Sequence, residues 1–195
     1  MKTHVGEIRN RNGRAWPLLG RVWQIVGLLG AGMLVQPGYA DYISVGSTTA
    51  RPGGKAQVPV SASASADLAG ANAALVFDPG VFLAPTVSYG GLLTPSHVLS
   101  SNSPVAGQFH VVAKGFLRTV AFTGRAGTVF NLSLDVSSAV PPGTIYPIRF
   151  APPGPGNVAA SGLSNLSGNA LAHVLSSGYI AITENAPVQA SNVSK

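Results

Sequence analysis

The sequence predicts an all-β fold, a sandwich of nine short strands in residues 41–184. Three observations point there. No helix-length window past Asp41 holds a sustained 3.6-residue apolar repeat. Apolar and polar residues alternate with period two through the same region, with Val, Ile and Thr prominent. Between those runs stand clusters of Gly, Pro and Ser that supply turn geometry.

The first strand is expected at residues 42–46, and Arg51-Pro52-Gly53-Gly54 turns the chain into the second, 56–61. The third, 72–77, ends at Asp78-Pro79-Gly80, which leads into the fourth, 81–87, closed by Tyr89-Gly90-Gly91. The fifth and sixth are expected at 97–101 and 109–113. The seventh, 128–136, carries the cleanest alternation. Phe130, Leu132, Leu134 and Val136 share one face, and Val129, Asn131, Ser133 and Asp135 the other, so one face is buried and one is wet. Pro141-Pro142-Gly143 precedes the eighth, 144–150, and the ninth covers 178–182. Pro59 and Pro147 lack the amide that a ladder needs, which assigns each to an edge, a bulge or a strand start. Residues 151–176, rich in Gly, Ala, Ser and Asn, read as a long connection, and 185–195 as a flexible tail or linker.

Ahead of the sandwich stands a segment of another kind. Residues 1–40 carry Lys2, Arg9, Arg11, Arg14 and Arg21 against Glu7 alone, then an apolar stretch from Val22 to Val35 broken only by Gln24 and glycines. Gly38 and Ala40, just after Pro37, supply the small-x-small pattern that a signal peptidase accepts. An export signal cleaved after Ala40 is expected, because the apolar run falls short of the ~20 residues that cross hydrocarbon. The expected location is secreted, extracellular or at the cell surface, without membrane contact after cleavage.

Of the formal charge of +6, the leader holds +4; past residue 40, seven basic and five acidic side chains leave +2. Such a thin excess builds no phosphate-tracking surface, which sets nucleic acid aside. With no Cys there is no disulfide framework, thiolate metal site or Cys nucleophile. The acids past residue 40 are Asp41, Asp67, Asp78, Asp135 and Glu184, and they offer no pair placed to face each other across a sugar. His97, His110 and His173 show neither H-x-H nor H-E-x-x-H spacing, and no G-x-S-x-G elbow occurs. A non-enzymatic protein without a cofactor or metal of its own is expected.

Motif order narrows this further. Ser44-Val45-Gly46, then Ala50-Arg51-Pro52-Gly53-Gly54-Lys55-Ala56-Gln57-Val58-Pro59-Val60, then Leu68-Ala69-Gly70-Ala71-Asn72-Ala73-Ala74-Leu75-Val76-Phe77-Asp78-Pro79-Gly80-Val81 together resemble the opening of a cohesin domain. Gly127-Thr128-Val129-Phe130-Asn131-Leu132-Ser133-Leu134-Asp135-Val136, the strand after Pro141-Pro142-Gly143, and Gly178-Tyr179-Ile180-Ala181-Ile182 are similar to that family's seventh, eighth and ninth strands. The resemblance covers about residues 41–183 and is to a divergent, non-cellulosomal member. It implies a nine-stranded jelly roll that docks a dockerin-like protein module in polysaccharide degradation or surface assembly. Calcium would belong to that partner and not to this chain. The resemblance also implies a docking face on the eighth, third, sixth and fifth strands, with the partner-facing position of the third at Asn72. Two features depart from the family: Gly70 stands where Asn is frequent, and residues 115–126 are longer and more basic than the usual link between sixth and seventh strands.

Alternation extends that face. With Ala73, Leu75 and Phe77 inward, Asn72, Ala74 and Val76 point outward; Phe109 and Val111 inward put His110 outward; Ile148 and Phe150 inward put Arg149 outward. His97 and Ser100 complete the expected set on the fifth strand. Two other functions share this architecture. A carbohydrate-binding module acting directly on polysaccharide needs exposed rings, and with Trp16 and Trp23 in the leader, Tyr89 is the plausible one. The other is a structural or adhesive unit of an envelope protein.

Overall fold

Residues 41–117, 119–152 and 161–186 are described by the computed structural model. Among them the chain runs as thirteen strands with no helix: β1 (Tyr42–Val45), β2 (Thr48–Ala50), β3 (Lys55–Ser63), β4 (Leu68–Val76), β5 (Phe82–Tyr89), β6 (His97–Asn102), β7 (Gln108–Gly115), β8 (Ala126–Val136), β9 (Ile145–Phe150), β10 (Gly162–Asn165), β11 (Ala170–Leu171), β12 (Val174–Ser176) and β13 (Gly178–Ile182). The expected leader, its cleavage point and the tail past Ala186 lie outside the described residues.

Two mixed sheets form the sandwich. In the first the order is β12-β1-β3-β8-β5, with β12 parallel to β1 and the other pairs antiparallel. In the second, β6 pairs β7 and β7 pairs one edge of β4. The other edge of β4 is divided: its first half pairs β10, which carries β11, and its last two residues pair β9, which continues through β13 to β2. The third, fifth, sixth and eighth strands expected from sequence are β4, β6, β7 and β9, and they are neighbours in one sheet.

Apolar residues recurring every second position meet between the layers. Val58, Val60, Leu132 and Leu134 of the first sheet, and Leu75, Ile148, Ile180 and Ile182 of the second, are fully buried. Each such side chain contributes about 1.5–3 kcal/mol over leaving it in water. Phe82 of β5 bridges the layers, meeting the Tyr146 ring of β9 edge-on at 5.8 Å and the Phe77 ring at 6.3 Å.

The structure corrects the sequence reading at several points. The first expected strand does not stop at Gly46; it breaks there and resumes as β2 in the opposite sheet, so one run of chain laces both layers. Pro59 sits where β1 leaves. Its carbonyl accepts the Gly46 amide at 2.8 Å, and a bulge between Val60 and Ser61 adjoins it. Val129, expected on the wet face, is buried beside Phe130, because the bulge pairs Val60 with Phe130 and Ser61 with Thr128 and leaves Val129 as the extra residue. Residues 151–176 are not a plain connection, since β10, β11 and β12 lie in them.

Candidate partner-binding face

The outward positions of the second sheet follow from its register. β4 sends Ala71, Ala73 and Leu75 to the core, and β7 sends Phe109, Val111 and Ala113. Gly70, Asn72, Ala74 and Val76 therefore face the other way, together with Gln108, His110, Val112 and Lys114. Pairing arranges these in four transverse rows. Val76 stands between Arg149 and Gln108. Ala74 opposes His110, which opposes Asn102. Asn72 stands between Gly162 and Val112, and Val112 opposes Ser100. Gly70 stands between Ser164 and Lys114, and Lys114 opposes Val98. With about 3.3 Å per residue along a strand, the rows extend over roughly 20 Å.

Five of the six residues expected on this face from sequence point to its outward side, and four of them are accessible there. Asn72 and His110 are half-buried, Ser100 and Arg149 exposed. Ala74 does point outward, but it is only 1% exposed. Its amide donates to Ser161 Oγ at 2.9 Å and its carbonyl accepts the Ala151 amide at 2.8 Å, so the chain on either side of residues 153–160 closes against it. His173 holds Ser161 in turn, with its ring nitrogens 3.0 Å from the Ser161 carbonyl oxygen and 2.8 Å from that of Leu171.

His97 is corrected outright. It pairs with Gly115 on the inward phase of β6, as Leu99 does with Ala113, and is 3% exposed. The Thr94 amide donates to its Nδ1 at 2.9 Å, which leaves the proton on Nε2, donated to the Ala121 carbonyl at 3.1 Å. Its ring meets Phe122 edge-on at 5.4 Å. This is a structural histidine that ties β6 to the segment before β8. Tyr89, the ring considered for sugar stacking, is tied as well: its hydroxyl donates to the His97 carbonyl at 2.9 Å, latching β5 to β6.

His110 carries an anomaly. Its Nε2 is buried and finds no hydrogen-bond partner among the described residues. Val112, Gln108, Asn102 and Lys114 belong to the face and were missed, although the alternation that placed His110 places Gln108, Val112 and Lys114 on the same side.

The charges on this face have one sign. Among the described residues the ion pairs are Lys55 with Asp135 on the first sheet and Arg125 with Asp67. The Asp41 carboxylate accepts the Ser65 amide, and Asp78 accepts the Gly80 amide in the turn past β4. Lys114 and Arg149 thus stand at opposite ends of the face, with no acid in the rows between them.

The model of the cohesin domain family matches residues 42–166, most of the sandwich. The chain belongs to the cohesin family. Solved cohesins share its fold at low sequence identity. The sixth cohesin of scaffoldin B from Acetivibrio cellulolyticus, solved in complex with a dockerin, superposes with a TM-score of 0.62 at 12% identity, covering 73% of this chain and 99% of that one. A type I cohesin from Clostridium thermocellum, also in a dockerin complex, gives 0.59 at 20% identity, with 73% and 99% covered. A non-cellulosomal cohesin from the archaeon Archaeoglobus fulgidus gives 0.58 at 17% identity, with 74% and 92% covered. No curated protein sequence matches the chain at a significant level. The sheet that carries the four-row face thus belongs to a cohesin fold.

Proposed function

We propose that this cohesin is a non-catalytic docking module that binds a dockerin-like protein through the outer face of β9, β4, β7 and β6. The observation that carries the reading is the face itself, in a chain of this family. It is a four-row surface of small and apolar residues (Gly70, Val76, Val112) with polar groups at Asn72, Ser100, Asn102 and Gln108. Such a mixture suits a protein interface, for which about 800 Å² per partner is typical. The cohesins of Acetivibrio cellulolyticus and Clostridium thermocellum named above were solved with dockerins, which supports the partner class. In this reading calcium resides on the partner. The protein is exported through residues 1–40 and works outside the cell or at its surface, in polysaccharide degradation or surface assembly.

Titration calorimetry of the purified protein against calcium-loaded dockerin modules tests the proposal. Saturable 1:1 heat with calcium, abolished by a chelator, is expected. Retention on insoluble polysaccharide with no heat from any dockerin would replace docking with direct sugar binding.

A further inference from the structure

The turn after β7 carries two exposed apolar side chains. Phe116 is 77% and Leu117 61% exposed. The turn is nevertheless held firmly: the Phe116 amide donates to the Ser96 carbonyl at 2.9 Å, and the Val120 amide to the Leu117 carbonyl at 3.1 Å. Gly115 makes this closure possible, because a Cβ there would press on the carbonyl oxygens of Val120 and Leu117. Large apolar side chains left uncovered by the described residues mark a contact surface.

Beside the turn lies a cleft of about 450 Å³. Leu117, Val120 and Lys114 form one wall, Ser164 and Leu166 the other, and Gly70 the floor nearest β4. Gly70 and Lys114 are also the last row of the docking face, so cleft and face are continuous. A Cβ at Gly70 would press on the Ser164 hydroxyl, so the glycine leaves room for that side chain at this end of the cleft. Among the described residues the charge at the junction is Lys114, which is in neither ion pair found there.

We propose that the docking surface continues off the sheet onto Phe116 and Leu117, and that the partner inserts an apolar side chain flanked by a carboxylate into the cleft beside them. The apolar group packs on Leu117, Val120 and Leu166, and the carboxylate pairs with Lys114. The positive, acid-free face favours a partner surface of the opposite sign. This inference rests on the docking reading above and adds to it the side-chain chemistry that selects among dockerins.

The experiment compares three variants of the whole protein against the same calcium-loaded dockerin panel, with thermal melts to verify folding. Val112→Asp probes the centre of the face, the double variant Phe116→Ser/Leu117→Ser probes the turn, and Lys114→Glu probes the cation. The turn variant is expected to bind at least tenfold more weakly, with its melt unchanged. Lys114→Glu is expected to slow association and to lose the salt dependence of the parent. The dockerins that bind are expected to carry an acidic residue next to an exposed apolar one. Loss of binding in Val112→Asp alone, with the turn and Lys114 variants at parental affinity, overturns this inference and leaves the face reading standing. No binding by the parent protein to any dockerin overturns both. Adsorption of the parent to phosphatidylglycerol vesicles that the turn variant loses, with dockerin affinity unchanged, assigns Phe116 and Leu117 to a lipid surface and also overturns it.

Discussion

Gly178 and Gly46 pass so closely that a Cβ on Gly178 would collide with the main-chain carbonyls of Gly46 and Val45. That approach lies where the first run of chain leaves one sheet for the other, with β1 behind it and β2 ahead. Gly46 is confined as well, since a Cβ there would press on the Pro59 ring. Two glycines and a proline therefore fix the point at which the layers are laced together.

Replacing Gly178 with Ala must push β13 away from this crossing. Overpacking of this kind costs about 1–3 kcal/mol, and contact with rigid backbone puts the expected loss at the upper end. Urea unfolding should show a lower midpoint with an unchanged slope. A variant as stable as the parent would contradict the close approach.

His97 is expected to matter for stability and not for docking. His97→Leu leaves the Thr94 amide and the Ala121 carbonyl without the ring that joins them. An unsatisfied buried group costs about 1–3 kcal/mol, so the melting temperature should fall by several degrees. At a temperature where the variant is folded, its affinity for a dockerin should equal that of the parent. Lost affinity with an unchanged melt would return His97 to the surface.

His110 should behave in the opposite way. Its Nε2 lies buried and unpartnered among the described residues, which is a standing cost to the fold. His110→Phe removes the orphaned nitrogen and keeps a flat ring, and should stabilise the protein by about 1 kcal/mol. Differential scanning calorimetry would register this as a rise of a few degrees, and a fall would contradict the assignment.

Much of this was legible in the sequence, and what was not has identifiable causes. Residues 130–136 and 178–182 alternate strictly, because one buried and one wet face impose period two. Val129 escaped that reading because a bulge is a property of the pairing with β3, not of β8 alone. Alternation gave the direction of Ala74 correctly but not its cover, which comes from Ala151 and Ser161, far along the chain. For His97 the phase was ambiguous, since Val98 and Leu99 are both apolar and only the pairing of Leu99 with Ala113 decides it. β10 was hidden because it sends a single core side chain, Leu163, inward, and main-chain bonding to β4 defines it.

The central claim is that one of two outer faces docks the partner, and a matched pair of charge insertions tests it most directly. Val112→Asp places a carboxylate in the middle of the β9-β4-β7-β6 face, while Gln57→Asp places one on the outer face of the first sheet, opposite Ser133. Measured by calorimetry against a dockerin that binds the parent, Val112→Asp should lower affinity at least a hundredfold and Gln57→Asp should leave it unchanged. Binding that survives Val112→Asp and is lost in Gln57→Asp would contradict the account.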